Sequence, residues 1–560
     1  MLAQLGNLTL VFALLFAVLQ IFFSTVGLYT KINFCQQLSK PFAIIQFLFM
    51  AASFFILISA FINNDFSLPY VSQHSNSHLP TIYKICAVWS AHAGSWLLWI
   101  FILSLWSAAV AIFSRHIPLE VVSRVLMVMG IISCAFYAFL FYHANPFIIQ
   151  LPASLSGGDL NPILQDAGLA IHPPILYMGY VGFSVVFAFA ITSLWCKEFN
   201  SQWAKWTKPW VLIAWCFLTL GIVLGSWWSY RELGWGGFWF WDPVENASLM
   251  PWLVGTALLH ILTVVERNHH FQAWAVFLSL CVFALSLLGT FLVRSGILIS
   301  VHTFSDDPTR GLFLLRVIII LIGCALLLFA LRAKYFKSTE KINIKSRDSL
   351  ILVNNILLFI AMLIILLGTL YPLIIEVLGL GKISVGAPYF NIVLLPIFIL
   401  ILFFIILTIK IKNKAMMVSH VGVLVLACGI IFSAVFSQEK QVVMKVGDRE
   451  SIGQYHFTLK NISQLRASDY IAFQATVEIR KNNKVIGLVH PQLREFFESR
   501  VLLPKSDSHV GIFRDFLVAL GMPDSKNEWI MRISVKPFIR WVWAGGVLMA
   551  LGGLLALAGV

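Results

Sequence analysis

The run Gly311-Leu-Phe-Leu-Leu-Arg-Val-Ile-Ile-Ile-Leu-Ile-Gly-Cys-Ala-Leu-Leu-Leu-Phe-Ala-Leu331 decides the fold class of this chain. It holds a single charged residue, Arg316. A bilayer core is about 30 Å thick and takes about 20 apolar residues as α-helix. The run therefore predicts a transmembrane helix, and similar runs recur along the sequence.

The composition of the whole chain agrees with a membrane protein. Of its 560 residues, 59% are apolar and 11% are charged, against about 45–50% and about 25% in soluble domains. The mean hydropathy is +0.87. These values exclude a soluble enzyme, a disordered scaffold and a nucleic-acid-binding domain as the main class of function. The eight cysteines form no Cys-x-x-Cys motif, which excludes a thiol-redox or cysteine-based zinc site.

Thirteen stretches are long and apolar enough to cross a membrane as helices. They cover roughly residues 7–29, 42–62, 88–113, 125–144, 173–195, 209–227, 248–265, 272–293, 311–331, 350–371, 389–409, 415–436 and 538–559. The first has no basic leader or small-residue cleavage site, so it indicates a span and not a removed signal peptide. The large groups of Lys and Arg follow odd-numbered spans, so the positive-inside rule predicts that the N-terminus lies on the outer side.

One long segment is too polar for lipid. Residues 437–537 contain alternating runs, such as 471–479, that predict strands, and Asn482-Asn483 stands where a hairpin turn is expected. The sequence therefore predicts three parts: a helical bundle over 1–436, a small β-rich domain over 437–537 on the outer face, and a last transmembrane helix within 538–560. The β-rich segment contains no cysteine, so it cannot carry out thiol exchange itself.

A tryptophan-rich loop is expected at 225–250, after the sixth span. Five of the 19 tryptophans fall between Trp227 and Trp241, and the loop includes Trp235-Gly-Gly-Phe-Trp-Phe-Trp-Asp242. One interpretation is an aromatic belt at the lipid headgroups. The other is a site for a flat cofactor, because glycines let the backbone approach a ligand closely and Trp faces supply stacking area. The Gly-Gly pair and the Asp-Pro-Val-Glu-Asn sequence that follows favour the cofactor site.

The same residues carry a family resemblance. The segment 235–242 resembles the "WWD" signature of haem-handling membrane proteins. Together with 159–174, 291–298 and 383–391, it is similar to the large haem lyase subunit of the bacterial system I cytochrome c maturation pathway, the CcmF type. Between 391 and 420 the chain is shorter than the family's longer members by roughly two spans. An even number of missing spans leaves the orientation of the later segments unchanged.

The resemblance implies a fold, an activity and a location. The fold is an all-α polytopic integral membrane protein of about thirteen transmembrane helices with a small β-rich periplasmic domain. The activity is that of a haem lyase, which accepts haem from a periplasmic haem chaperone and attaches it to the CxxCH thiols of apocytochrome c. The location is the bacterial inner membrane, with the N-terminus and the WWD loop periplasmic. Other implied partners are thiol-reducing or apocytochrome-presenting subunits of a maturation complex and a quinol as electron source; no nucleic-acid partner is implied.

Two histidines lie well inside apolar spans. His260 precedes Glu266 by six residues, and His420 follows Lys414 by six, so each is about 9 Å from the inner boundary. Ionisable residues within a membrane mark candidate functional sites, and two imidazoles at matched depth favour one shared cofactor over two separately satisfied histidines. The resemblance implies that His260 and His420 are the axial ligands of a stable, buried haem b, which donates electrons to an outer haem.

Two further histidines flank the WWD loop on the outer side. His172 opens the fifth span and His302 follows the eighth, and either alone would be interpreted as a surface histidine. The resemblance implies that they ligate the iron of a second, transient haem. The haem platform expected from the WWD loop consists of Trp235, Gly236, Trp239, Trp241 and Asp242. Arg231 and Arg294 are both candidates to neutralise the haem propionates.

Catalytic groups and alternative functions remain open at this point. Asp242 and Glu245 are the candidate acids, but no sequence feature requires either. A haem exporter is one alternative, although the sequence lacks the pair of Gly/Pro-interrupted short spans typical of transporters with inverted repeats. A non-enzymatic platform that only presents haem to a partner is the other alternative.

Overall fold

Long apolar helices form most of the computed structural model of the chain. The structure describes residues 1–232, 236–295, 308–336, 343, 346–408, 413–482, 484–524 and 528–559. Within these residues, thirteen helices are long and apolar enough to cross a membrane. Many of their side chains are apolar and exposed at the surface of the bundle, as lipid contact requires. The predicted thirteen spans and the predicted fold class are confirmed.

The helices are numbered in chain order. They are α1 (Leu2–Thr30), α2 (Asn33–Ile62), α3 (Pro69–His74), α4 (Thr81–Ala87), α5 (His92–Phe113), α6 (Leu119–His143), α7 (Ala167–Cys196), α8 (Ser201–Glu232), α9 (Pro243–Asn268), α10 (Gln272–Arg294), α11 (Pro308–Arg332), α12 (Arg347–Val377), α13 (Ala387–Thr408), α14 (Lys414–Phe436) and α15 (Ile539–Leu557). Helices α3 and α4 are too short to span. Two short 3-10 turns lie at Pro162–Leu164 and Ala333–Tyr335.

The third span begins later than its apolar run suggests. The run starts at residue 88, but the chain leaves the helical path between α4 and α5, which begins at His92. The Tyr70 hydroxyl donates a hydrogen bond to the Val88 carbonyl at 2.9 Å and satisfies a group that the break leaves without a helical partner. A β-carbon on Gly94 would lie 1.6 Å from that carbonyl oxygen, so the break also requires glycine there.

The tryptophan-rich loop is shorter than predicted. Helix α8 continues to Glu232 and α9 begins at Pro243, so the connection covers only 233–242 instead of 225–250. No proline interrupts the chain between Gly225 and Glu232, and Trp228 in this stretch packs so closely on α7 that a β-carbon on Gly168 would lie 2.4 Å from it. Trp227 and Trp228 therefore belong to the last turns of a helix.

The polar segment forms a β-sandwich of two antiparallel sheets. The strands are β1 (Gln438–Met444), β2 (Arg449–Ile452), β3 (Tyr455–Arg466), β4 (Tyr470–Lys481), β5 (Lys484–Val489), β6 (Gln492–Phe496), β7 (Leu502–Lys505), β8 (Asp507–His509), β9 (Arg514–Pro523) and β10 (Trp529–Pro537). One sheet has the order β1-β10-β9-β8 and the other β2-β3-β4-β6-β7, with β5 paired to β4. Alternate apolar residues such as Phe457, Val477, Val518 and Ile533 are buried between the sheets. Strands β4 and β5 pair antiparallel with Lys481 opposite Lys484, as a hairpin at 482–483 requires, and Asn483 itself lies outside the described residues.

Helices α14 and α15, which flank the sandwich in the chain, pack in close contact with each other. A β-carbon on Gly422 would lie 2.6 Å from the Gly545 carbonyl oxygen, and one on Gly552 would lie 2.5 Å from the Ser419 nitrogen. Small residues of this kind let two membrane helices approach at the backbone. In addition, Trp543 donates a hydrogen bond to Ser226 of α8 at 3.2 Å. The last helix therefore joins α14 to the centre of the bundle.

Candidate haem sites

His260 of α9 and His420 of α14 come together between their helices, and both side chains are half-buried. Their ring centroids are 6.0 Å apart, with 28° between the ring planes. The Nδ1 of His420 donates a hydrogen bond to the Met416 carbonyl at 2.7 Å. Because a carbonyl accepts only, this bond fixes the tautomer and leaves the lone pair on Nε2, the nitrogen available to a metal.

The separation of this pair suits one haem iron. A metal–imidazole bond of about 2.0 Å, plus about 1.1 Å from the nitrogen to the ring centre, sets the centroids of two opposed ligands about 6.2 Å apart. An apolar cluster includes residues of both helices that carry the pair. It consists of Leu212, Trp215, Cys216 and Met549, with Trp252, Leu259, Val423, Leu426 and Leu557 packed against it. An apolar lining and two imidazoles are the features that a buried haem requires.

A cation that the sequence did not indicate lies near the His260–His420 pair. The guanidinium of Arg347, at the start of α12, donates a hydrogen bond to the sulfur of Met416 at 3.9 Å, the residue whose carbonyl accepts from His420. Its Nε donates a hydrogen bond to the Thr408 carbonyl at 3.2 Å. A cation at the edge of a haem pocket can pair with a propionate. Its position in a basic loop of the sequence did not distinguish it from ordinary positive-inside residues.

His172 is held between α7 and α8 at the end of the bundle that faces the sandwich. Its Nδ1 donates a hydrogen bond to the Gly221 carbonyl at 2.8 Å, which again leaves the lone pair on Nε2. The ring lies against Gly225, where a β-carbon would be 2.6 Å from the imidazole. The imidazole is thus carried by α7 and oriented by a hydrogen bond to α8. Metal-binding histidines are commonly oriented by such a hydrogen bond from the other ring nitrogen. His302, the second predicted outer ligand, lies outside the described residues.

The described part of the WWD loop is fixed by contacts from distant segments. Trp241 donates a hydrogen bond from Nε1 to Asn391 at 2.9 Å and stacks on Phe390, with centroids 4.7 Å apart. Trp239 meets Trp241 edge to face at 6.0 Å, and both rings are half-buried. Gly236 has φ +64°, and a β-carbon there would lie 2.9 Å from Lys536 of the sandwich. Trp235 lies outside the described residues.

The two candidate acids have structural roles at the end of the loop. Asp242 is the N-cap of α9 and accepts a hydrogen bond from the Val244 N–H at 2.8 Å. Glu245 accepts from the N–H groups of Phe240 and Asp242 at 2.8 and 3.1 Å, which completes a capping box. These bonds satisfy backbone N–H groups that have no hydrogen-bond partner within the first turn of the helix. Asp242 and Glu245 therefore order the loop, and their candidate acid–base role stays a prediction.

The two arginines considered for the propionates differ in exposure. Arg294 is buried at the end of α10, where it donates hydrogen bonds to Ser95 at 3.1 Å and Tyr177 at 2.9 Å. Arg231 lies at the loop, 4.6 Å above the Trp227 ring, with 36% of its side chain exposed. A guanidinium that pairs with a haem propionate at the loop must be accessible from the loop. Arg231 fits that requirement better than Arg294.

Sequence comparisons relate the chain to proteins of cytochrome c biogenesis. The protein family described as "Cytochrome C assembly protein" matches residues 89–299, and the family described as "CcmF C-terminal beta-sandwich" matches residues 435–537. The "Cytochrome c-type biogenesis protein CcmF" of Pseudomonas aeruginosa is 42% identical over 632 positions, which cover 99% of this chain and 96% of the relative. That of Escherichia coli K12 is 42% identical over 628 positions, covering 100% and 97%. Both alignments exceed the 560 residues of this chain, so these relatives carry residues that it lacks.

A solved structure has the same fold throughout. The "Cytochrome c Heme Lyase CcmF" superposes on the chain with a TM-score of 0.82 and 25% sequence identity. The match covers 99% of this chain and 97% of that one, so it includes the helical bundle and the sandwich.

Proposed function

The chain belongs to the CcmF family of cytochrome c-type biogenesis proteins, which includes haem lyases, and on that premise we propose that it joins haem to apocytochrome c with the help of a second, resident haem. The observation that carries the proposal is the pairing of His260 and His420 at 6.0 Å within an apolar surrounding. Two imidazoles within membrane-spanning helices are poorly solvated by water. A shared metal-containing group that both can bind is the best explanation for their presence there.

The inner residues would hold a haem b that stays with the protein. His260 and His420 would be its axial ligands, and Arg347 would pair with a propionate. When bound, this group supplies an electron that keeps the substrate haem ferrous. The protein sets the electron affinity of such a group through its ligands and its apolar lining.

The outer residues would hold haem as a substrate. His172 and His302 would bind its iron, and the WWD aromatics would supply apolar ring faces and edges for contact with it. Arg231 would meet a propionate. Because the loop is fixed by Trp241, Asn391 and the capping box, the substrate would meet a preformed surface and not one that has to fold on binding.

The covalent step is the addition of a substrate thiol to a haem vinyl group. The S–H bond breaks, a C–S bond forms at one vinyl carbon, and the proton ends on the other, so no net oxidation occurs. The thiols would come from the CxxCH motif of apocytochrome c, in agreement with the absence of cysteine from 437–537. The substrate's own histidine would then replace one of the two outer ligands and release the product.

The proposed partners follow from these requirements. A periplasmic chaperone would deliver haem, other subunits of a maturation complex would present the reduced apocytochrome, and a quinol would reduce the inner haem. This arrangement needs the WWD loop and the sandwich on the periplasmic side of the inner membrane.

A periplasm-only reporter enzyme tests that orientation. Fusion after Lys445 in the sandwich or after Asp306 should give an active reporter, because both points follow even-numbered spans. Fusion after Lys341, within the six basic residues at 332–347, should give a silent one. Activity is measured in intact cells, with immunoblots to confirm equal amounts of each fusion. The reverse pattern would refute the proposed sidedness.

The optical spectrum of the purified protein, before and after incubation with the haem-loaded chaperone, tests the function. One haem before incubation and a second, distinguishable haem afterwards support the proposal. Absence of any haem in both samples overturns it. A second haem that is then released without attachment to apocytochrome c would support the exporter or the presenting platform instead of the lyase.

A further inference from the structure

A lysine of the sandwich is buried against the helical bundle next to the outer site. Lys505, the last residue of β7, has 13% of its side chain exposed. Its ammonium donates a hydrogen bond to Asp166 at 2.9 Å and forms a second, short ion pair with Glu232. The two carboxylate side chains are only 5% and 1% exposed. A buried charge is retained only where its partners are well placed, so these three residues, the Lys505 cluster, form a specific contact. The partly exposed Arg231 also reaches Asp166, at 3.6 Å.

Each acid of the Lys505 cluster sits at the end of a helix that holds His172. Asp166 is the N-cap of α7, where its other oxygen accepts from the Gly168 N–H at 2.7 Å. Glu232 is the last residue of α8. His172 is carried by α7 and receives its orientation from the Gly221 carbonyl of α8. One ammonium thus links the ends of both helices that determine where this imidazole lies.

The two acids of the cluster differ in charge state. Burial alone would raise the pKa of Asp166, but the Lys505 ammonium, a hydrogen bond with Glu232 and the Gly168 N–H together lower it to about 2, whereas burial raises the pKa of Glu232 to about 7. Asp166 therefore remains ionised over the physiological pH range. It can act as the cap of α7 and as the partner of Lys505 at the same time.

Other contacts hold the sandwich against the loop. Ser506 donates a hydrogen bond to the Arg231 carbonyl at 2.6 Å, and Leu517 belongs to an apolar cluster with Tyr230, against which Phe238 packs. Loss of the Lys505 ammonium would leave these contacts in place. The sandwich would stay docked, while the ends of α7 and α8 would lose the buried ammonium between them and keep the longer, more exposed ion pair between Arg231 and Asp166 at 3.6 Å.

We propose that Lys505 is a positioning residue for His172, through which the sandwich sets the geometry of the outer iron ligand. The inference rests on the proposed function, because it takes His172 as a haem ligand. It assigns the sandwich a direct part in the site. Helices α7 and α8 already pack closely at Gly179 and Gly221. The Lys505 contact adds a link at the ends that face the sandwich, and the position of those ends sets where the imidazole lies.

The test compares three variants of the full-length protein. Lys505→Met removes the charge and keeps most of the length, Lys505→Arg keeps the charge, and Lys440→Met removes an exposed sandwich lysine that pairs with Glu450. Amide hydrogen exchange is measured over residues 167–180 in the purified protein. The spectrum is then recorded after addition of haemin reduced with dithionite.

Lys505→Met should raise exchange in the first turns of α7 about tenfold, since a local opening loses a charged hydrogen bond. The outer haem should shift or be lost, while the inner haem spectrum stays unchanged. Lys505→Arg should restore both properties, and Lys440→Met should behave as wild type.

Unchanged exchange and an unchanged outer haem in Lys505→Met would overturn the inference. Faster exchange throughout the sandwich would overturn it too, because that result indicates a general docking role. His172→Ala serves as the reference for the proposed function. If that variant binds the outer haem normally, the proposed function is at fault, and the exchange over 167–180 still reports on the Lys505 contact.

Discussion

Replacing His260 or His420 by alanine should remove the stable haem from the purified protein. The two rings are 6.0 Å apart, and each would supply one axial bond to the same iron. Loss of a residue that only hydrogen-bonds to a metal ligand lowers metal affinity about 10–100-fold. Loss of a direct ligand should therefore lower it at least as much. The haem content per mole of protein, measured from the absorbance of its pyridine complex, checks this result.

The same measurement on conservative and control variants separates ligation from folding. His260→Met retains a possible ligand, so it should keep haem and raise its midpoint potential, as methionine ligation does in cytochromes c. His143→Ala changes a histidine that packs on Phe139 and Phe313, away from the pair, and should keep a normal spectrum. A full, unshifted spectrum in both the His260→Ala and His420→Ala proteins would refute the inner site.

The second large effect is expected at the outer site. His172→Ala and His302→Ala should each reduce the yield of cytochrome c strongly while the inner haem spectrum is retained. Two ligands of one iron act as a unit, so the double variant should be no worse than about the worse single one. The yield is measured by haem staining in a strain that depends on the variant chain for cytochrome c maturation.

Variants of the loop distinguish a haem platform from an aromatic belt. Trp239→Phe and Trp241→Phe keep most of the apolar area, so a belt would tolerate both, whereas a platform should lose yield, most of all at Trp241, which also donates to Asn391. Asp242→Asn keeps a capping oxygen and should retain most of the yield. Normal yield from the His172→Ala, His302→Ala double variant would show that haem is not held there, and the loop would then be an interfacial belt.

Hydropathy was sufficient to predict the spans, because lipid requires a run of apolar residues for every crossing. It could not reveal the break before His92, since an apolar sequence is equally compatible with a broken helix whose carbonyl is satisfied by Tyr70. The capping box could have been predicted, because Asp242-Pro-Val-Glu245 has the sequence of a helix start. The candidate acid–base role of the same two residues stays a prediction.

The contacts that connect the outer site to the rest of the molecule were beyond local sequence patterns. Trp241 and Asn391 are 150 residues apart, and Asp166 and Lys505 are 339 residues apart. No periodicity or short motif relates such positions. For the inner pair, the equal depth of His260 and His420 could be counted from the helix ends, but the lateral proximity of α9 and α14 follows only from how the whole bundle packs.

The position of the sandwich in the chain determines the order in which the protein can be assembled. Helix α14, which carries His420, packs through Gly422 and Gly552 contacts against α15, yet all ten strands lie between them in the sequence. A ribosome must therefore complete the sandwich before the neighbour of His420 exists. If the proposed inner site depends on this packing, a chain truncated at Pro537 should not retain haem there, although every histidine has been made.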